Sequence, residues 1–392
     1  MKHIILVLMI LICAPSLWPQ AGVDRLVDQI EKNNPTLKAL AQQRDAEKTG
    51  ARLGLYPENP AVEVGMLRGS PAGLGRRADL SISQTFDFPT AYAHRSRLAA
   101  AAGRRLDWAW DAERRVLLLE ARLLALDLVF ANALSAEWEK RTGRARELAE
   151  AVETKFARGE ANILDRNRAE LTLLEAEKEA EGNEIERRSI RAELIRLNGG
   201  LPVELSEARF ELPVLPSDFP AWCAKAEELN PESRGWRSEA ARLDAQAALN
   251  RSLAWPKLSV GYMSESVTGE RFSGVTAGVT IPLLENKNTV VYAKRSAEAA
   301  RSLEADARRR FRGEMEALYE QATALRRATD GFRSRLRQLD NAPLLKKALE
   351  LGQISVTEYL LELSLYNGSV DRLLEMERSL AQTAARLLQY GN

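Results

Sequence analysis

Past residue 21 this chain has no run of 18 apolar residues, so none of that part can cross a bilayer as a helix. One cysteine remains there, Cys223, which excludes an intrachain disulfide and leaves stability to burial and assembly. Histidine is scarce: His3 lies in the leader-like start and His94 stands alone. H-E-x-x-H, C-x-x-C, G-x-S-x-G, P-loop and dinucleotide-binding patterns are all missing, so no enzyme, cofactor or metal site is expected. Neither sign of charge dominates, with 56 Lys and Arg against 55 Asp and Glu, and net charge points to no nucleic-acid partner. Aromatic residues make up only 6%, while Ala, Leu, Glu and Arg fill long segments in the manner of long helices and coiled coils.

What is present begins with an export signal over residues 1–21. Lys2 supplies a positive start, Ile4 to Ala14 an apolar run too short to span a bilayer, and Ala21 the expected cut; Cys13 leaves lipidation as an alternative. After export the chain is either soluble or crosses a membrane as strands, the other architecture that satisfies its backbone in lipid.

The rest is written twice. Asn34-Pro35, Tyr56-Pro57, Gly65, Phe88-Pro89 and Arg158-Gly159 recur in order as Asn230-Pro231, Trp255-Pro256, Gly261, Ile281-Pro282 and Leu351-Gly352, 193 to 199 residues later. Such a repeat predicts a duplicated unit, with repeats over 22–198 and 222–392 and a proline-rich connector over 199–221. Within each repeat the pattern reads helix, β-hairpin, long helix, shorter helix. A first helix is expected over 24–55, with Leu26, Ile30, Leu37, Leu40 and Leu53 on its apolar stripe. Strands are expected near 61–69 and 78–88, and near 258–267 and 272–281. Over 79–88, Leu80, Ile82, Phe86 and Phe88 alternate with Asp79, Ser81, Ser83, Thr85 and Asp87, and only Gln84 breaks the apolar face. Val275, Ala277, Val279 and Ile281 alternate with Thr276, Gly278 and Thr280 in the same way. Strands of this length suit a tilted crossing of a bilayer.

Residues 92–155 lack proline and predict a helix about 95 Å long. A return helix is expected over 161–198, and its counterparts over 284–350, with a kink at Pro343, and over 355–390. Tyr56, Phe88, Tyr92 and Trp255 form either an interfacial girdle or simple packing. The arginines at 308–310 and 326–337, interleaved with Glu304, Asp306, Glu314 and Asp330, read as a solvated helix face.

The two helical tips, 156–165 and 349–358, match. Gly159 and Gly352 each end a helix, Asn162 and Ser355 are expected N-caps, and Asp165 and Glu358 follow six residues after the glycines.

Ile82 to Tyr92, Leu253 to Gly261 and Ala348 to Glu358, within this duplicated plan, resemble the TolC family of outer-membrane efflux channels over about residues 24–390. The first segment looks like the heavy-metal subgroup. The resemblance implies a mainly α homotrimer: a periplasmic α-helical barrel topped by a 12-stranded transmembrane β-barrel with four strands per protomer. It implies an outer-membrane location extending into the periplasm, with a periplasmic adaptor (membrane fusion protein) and an inner-membrane pump as partners. The resistance-nodulation-division (RND) class, for metal ions or drugs, is a candidate pump. Carried over, Arg158, Gly159, Asp165, Leu351, Gly352 and Ser355 would form the adaptor-docking tip. Glu358 would be the periplasmic gate, in a threefold ring whose mutual repulsion raises the pKa of at least one member. A second acidic position of some relatives falls on Leu361, and a basic gate position on Ile354. The alternatives are a poreless periplasmic coiled-coil adaptor or scaffold, and a type I secretion outer-membrane channel.

Overall fold

Asn-Pro punctuates both halves, and in the structure, a computed structural model describing residues 21–339 and 341–391, each Asn-Pro separates two helices. The first half runs α1 (Ala21–Asn33), α2 (Pro35–Gly50), β1 (Ala61–Arg68), β2 (Arg76–Phe86), α3 (Pro89–Ala157) and α4 (Ile163–Leu197). The second runs α5 (Phe219–Leu229), α6 (Pro231–Ser252), β3 (Lys257–Val267), β4 (Glu270–Thr280), α7 (Thr289–Leu336), α8 (Ala342–Glu350) and α9 (Val356–Leu388). Residues 1–20, nearly all of the expected leader and Cys13 with it, lie outside the described residues.

The four strands form one antiparallel sheet in the order β1-β2-β3-β4. The hairpins of the two halves join through β2 and β3, where Ser83 pairs with Gly261 and Phe86 with Leu258. Thr268 and Gly269, both with positive φ, turn β3 into β4. Two such residues match the right-handed twist of the flanking strands.

The described residues fall into two compact units, each drawing on both halves. One holds the chain up to Pro35, Arg115–Ala224 and Gly313 onward; the other holds Thr36–Arg114 and Lys225–Arg312. The first unit has a core of Val23, Leu26 and Ile30 from α1, Leu126 and Val129 from α3, Leu194 from α4, and Leu380 and Leu387 from α9. Each fully buried Leu or Ile contributes about 1.5–3 kcal/mol over leaving it in water. Asn34 donates its Nδ2 to Leu197 O at 2.8 Å, and Asn33 donates to Asn198 Oδ1 at 2.9 Å. That buried polar knot ties α1 to the end of α4. In the second unit Ala240, Leu243, Ala297 and Ala300 pack with Trp236, joining α6 to α7.

Three expectations are corrected. The helix expected over 24–55 is two helices, because Pro35 lacks the N–H that continuation needs and opens α2 instead. Its stripe divides accordingly: Leu26 and Ile30 are buried, Leu37 alone is buried in α2, and Leu53 lies beyond α2 in the open. Pro343 does not kink a continuous helix. The long helix ends at Leu336, and Pro343 sits in the first turn of α8, where its missing N–H costs nothing. Phe88 lies past the end of β2 and stacks on Trp255 with ring centroids 5.1 Å apart. Tyr56 and Trp255 are exposed, while Tyr92 uses its hydroxyl to accept from Asp87 N at 3.0 Å.

The basic runs form a largely solvated face, with Arg308 pairing to Glu304, Arg309 and Arg310 to Asp306 and Arg326 to Asp330, and some of them also reach other helices. Arg308 and Arg312 approach the buried Glu227 of α5 at 3.5 and 2.7 Å, and Arg310 meets Glu232 of α6 at 2.8 Å. Arg333 pairs with Glu377 of α9 at 2.6 Å.

Candidate functional site

The sheet has two chemically different faces. Side chains alternate along a strand, and paired residues share a face. The registers therefore place Val62, Ile82, Tyr262 and Val275 in one row across all four strands, with Phe86, Leu258 and Val279 in another row on that face. These side chains stand in solvent: Val62 is 61% exposed, Ile82 41% and Val275 80%. The opposite face carries Glu63, Asp79, Ser81, Ser83, Thr85 and Thr276, and its central positions are half-buried. Arg77 is held there by Asp79 at 2.9 Å and Glu265 at 3.1 Å. The half-buried polar positions lie on β2, while the apolar rows of Val62, Ile82 and Val275 are exposed. Gln84, the polar residue on the apolar face, gives its amide N–H to Glu58 O and Thr85 O.

β1 and β4 each have one neighbour, so the sheet has two free edges. Gly261 marks its tightest approach to strand backbone: a Cβ there would lie 2.6 Å from Ile82 O.

The two helical tips repeat one geometry. At the end of α3, Gly159 N donates to Phe156 O and Glu160 N to Lys155 O; at the end of α8, Gly352 N donates to Leu349 O and Gln353 N to Ala348 O. Both glycines are left-handed, with φ of 75° and 69°, which makes each a Schellman stop. Each return helix then opens on a side-chain cap. Asn162 Oδ1 accepts from Asp165 N at 2.8 Å, and Ser355 Oγ from Glu358 N at 3.2 Å. Glu358 closes the reciprocal half of its cap by accepting from Ser355 N at 2.8 Å.

The tips are brought together. Tyr359 and Leu363 of α9 pack with Leu148 and Val152 of α3 and Ala169 of α4, and Ala161, Ile354 and Val356 from the two turns lie against that cluster. Arg168 donates to Thr357 Oγ1 across the pair. Lys346 of α8 reaches Glu147 of α3 at 2.8 Å. Arg158, Gly159, Leu351, Gly352, Ser355 and Glu358 are exposed, and Asp165 is half-buried. The sequence reading missed Arg168 and the Lys346–Glu147 pair, since contacts almost 200 residues apart leave no local pattern. Among the described residues no group of three His, Cys, Asp or Glu is placed to hold a metal ion.

The backbone N–H and hydroxyl of Ser355 hold the Glu358 carboxyl below the ordinary glutamate range. The hydrogen bond and charge of Lys346 likewise lower Glu147. A depressed carboxylate stabilises the fold above its unfolded pKa, and that contribution is lost as pH falls through the folded value. The protection of the amides over 356–358, measured against the free-peptide exchange rate at the same pH, should therefore be present at neutral pH and fall once the pH drops below the ordinary glutamate range. Ser355→Ala should lower that protection at neutral pH.

No family model matches the chain by sequence, and no characterised protein does. Solved structures do match. A membrane protein from Pseudomonas aeruginosa is 17% identical with a TM-score of 0.77, covering 96% of this chain and 94% of that one. CusC, which forms a transmembrane channel, is 14% identical with a TM-score of 0.77, covering 96% and 93%. The Campylobacter jejuni CmeC outer-membrane channel is 14% identical with a TM-score of 0.74, covering 95% and 86%. The chain has the fold of outer-membrane channels.

Proposed function

We propose that the chain is the outer-membrane duct of an export system. The observation behind this is the sheet: an exposed apolar face, a polar face opposite it, and two unpaired edges. In water such a sheet would expose a continuous apolar patch and two edges open to mispairing. In lipid the apolar face is covered. Three copies supply twelve strands, which close the edges around a polar lumen that four strands cannot enclose. Exposed Leu164, Leu171, Leu174 and Ile185 form a stripe along α4, with Leu361 and Leu365 on α9, as helices packing against neighbouring copies require.

The matched tips are the docking surface for a periplasmic adaptor, which couples the duct to an inner-membrane pump, with RND pumps for metal ions or drugs as the class in view. Glu358 lines the periplasmic gate. The detergent-solubilised protein should have the mass of three chains and conduct ions in planar bilayers. A well-behaved monomer without detergent would overturn the duct.

The gate is tested separately. Glutamine can occupy the same position of a capping box, so Glu358→Gln removes charge and keeps the helix start. It should reduce cation preference and block by divalent ions while trimer yield stays unchanged. If Asp165→Asn does this instead, the other turn faces the axis.

A further inference from the structure

The apolar face ends in charges of one sign. Arg68 stands directly opposite Arg76 at the turn end of the β1–β2 pair, and Arg271 lies opposite Ser266 on β4. By alternation all three share the face of Val62, Ile82 and Val275. The strand carboxylates, Glu63, Asp79, Glu265 and Glu270, all fall on the other face, where Arg77 takes up two of them. Among the described residues neither Arg68 nor Arg76 makes a side-chain hydrogen bond or ion pair, and Arg271 donates only to the uncharged Ser264 Oγ, at 3.0 Å. Like charges directly opposite on paired strands repel. The arrangement therefore calls for an anion from outside the chain.

We propose that Arg68, Arg76 and Arg271 bind the phosphate headgroups of membrane lipid at the end of the barrel away from the helices, an inference that rests on the outer-membrane reading. The ligand must combine two properties. It must lay apolar chains against the face between the Phe86 row and the Ala78 row, a stretch of roughly 27 Å along the strand. It must also place an anion at the height of the arginines. A phospholipid or phosphorylated glycolipid has both, and a free phosphate only the second. Guanidinium presents paired donors that match phosphate oxygens, and a pair of guanidiniums neutralises the charge that a single one leaves. The lipid would in turn screen Arg68 from Arg76 across the β1–β2 pair.

The test uses the full chain in phosphatidylcholine vesicles containing either spin-labelled phosphatidylglycerol or spin-labelled phosphatidylcholine. The readout is the fraction of label immobilised at the protein surface. Wild type should prefer phosphatidylglycerol by about fivefold for each engaged arginine. The Arg68→Gln, Arg76→Gln double variant should lose most of that preference, and Lys257→Gln, on the polar face at the other end of the sheet, should keep it. Equal preference in wild type and the double variant, with normal insertion, overturns the lipid site alone. Inorganic phosphate that displaces the labelled lipid better than chloride at equal ionic strength reassigns the arginines to a free anion and also overturns it. Wild type that fails to insert into phosphatidylcholine overturns the outer-membrane reading, and the lipid site with it.

Discussion

Replacing Ile82 with arginine is expected to cost about 2–4 kcal/mol in the membrane-inserted protein, the range for a lipid-facing charge near the bilayer midplane. Its neighbour Ser83 should accept arginine with assembly intact and only conductance altered. The two positions are adjacent in sequence and differ in face alone. Ile82 is 41% exposed in the single chain and sits in the apolar row with Val62, Tyr262 and Val275. Ser83 pairs with Ala61 and Gly261 on the polar face. In water an arginine at an exposed Ile82 would be nearly free, since surface substitutions rarely exceed about 0.5 kcal/mol. The measurement is unfolding in lipid vesicles against denaturant, with Ser83→Arg alongside. Equal tolerance at the two positions would mean that no lipid covers the apolar face.

Gly261→Val should break the sheet where the two halves meet. A Cβ at Gly261 would lie 2.6 Å from Ile82 O, 2.9 Å from Thr276 Oγ1 and 3.3 Å from the Ser83 Cα. Two of these are backbone atoms of β2, which can yield only by moving the strand. Overpacking of this kind costs about 1–3 kcal/mol, and more where the backbone must shift. Separated hairpins are at best marginally stable, so loss of the β2–β3 pairing should remove the trimer altogether. The control is Gly274→Ala on the same face, where a Cβ would meet nothing within 4 Å. Trimer yield after extraction checks this: Gly274→Ala should assemble and Gly261→Val should not. Assembly of both would mean that β2 and β3 have more room than the pairing indicates.

Gly65, the counterpart of Gly261 in the first half, shows where repetition in sequence stops being repetition in space. A Cβ at Gly65 would meet only Asp79 side-chain atoms, at 3.4 Å or more, an ordinary contact. The difference comes from place in the sheet. β1 is an edge with one neighbour, and β3 is flanked on both sides. A similar split separates the local from the distant at the tips. The glycine stops and the Asn162 and Ser355 caps were legible, because capping acts over three or four residues and leaves a short signature. The Lys346–Glu147 pair and the bond from Arg168 to Thr357 join segments almost 200 residues apart, and no spacing rule reaches that far.

By itself the sequence determined the order of hairpins and long helices, the alternation that makes a two-faced strand, and the glycine stops and caps at the two tips, though not the helix breaks before Pro35 and Pro343. All of these depend on steric and hydrogen-bonding preferences within a few residues of chain. The tertiary structure decided which strand lies beside which, and so placed Arg68 opposite Arg76 on a face without carboxylates. It also gave Arg308, Arg310 and Arg312 partners on other helices, in Glu227 and Glu232. Charges interact through space rather than along the chain, so their partners are fixed only once distant segments have met.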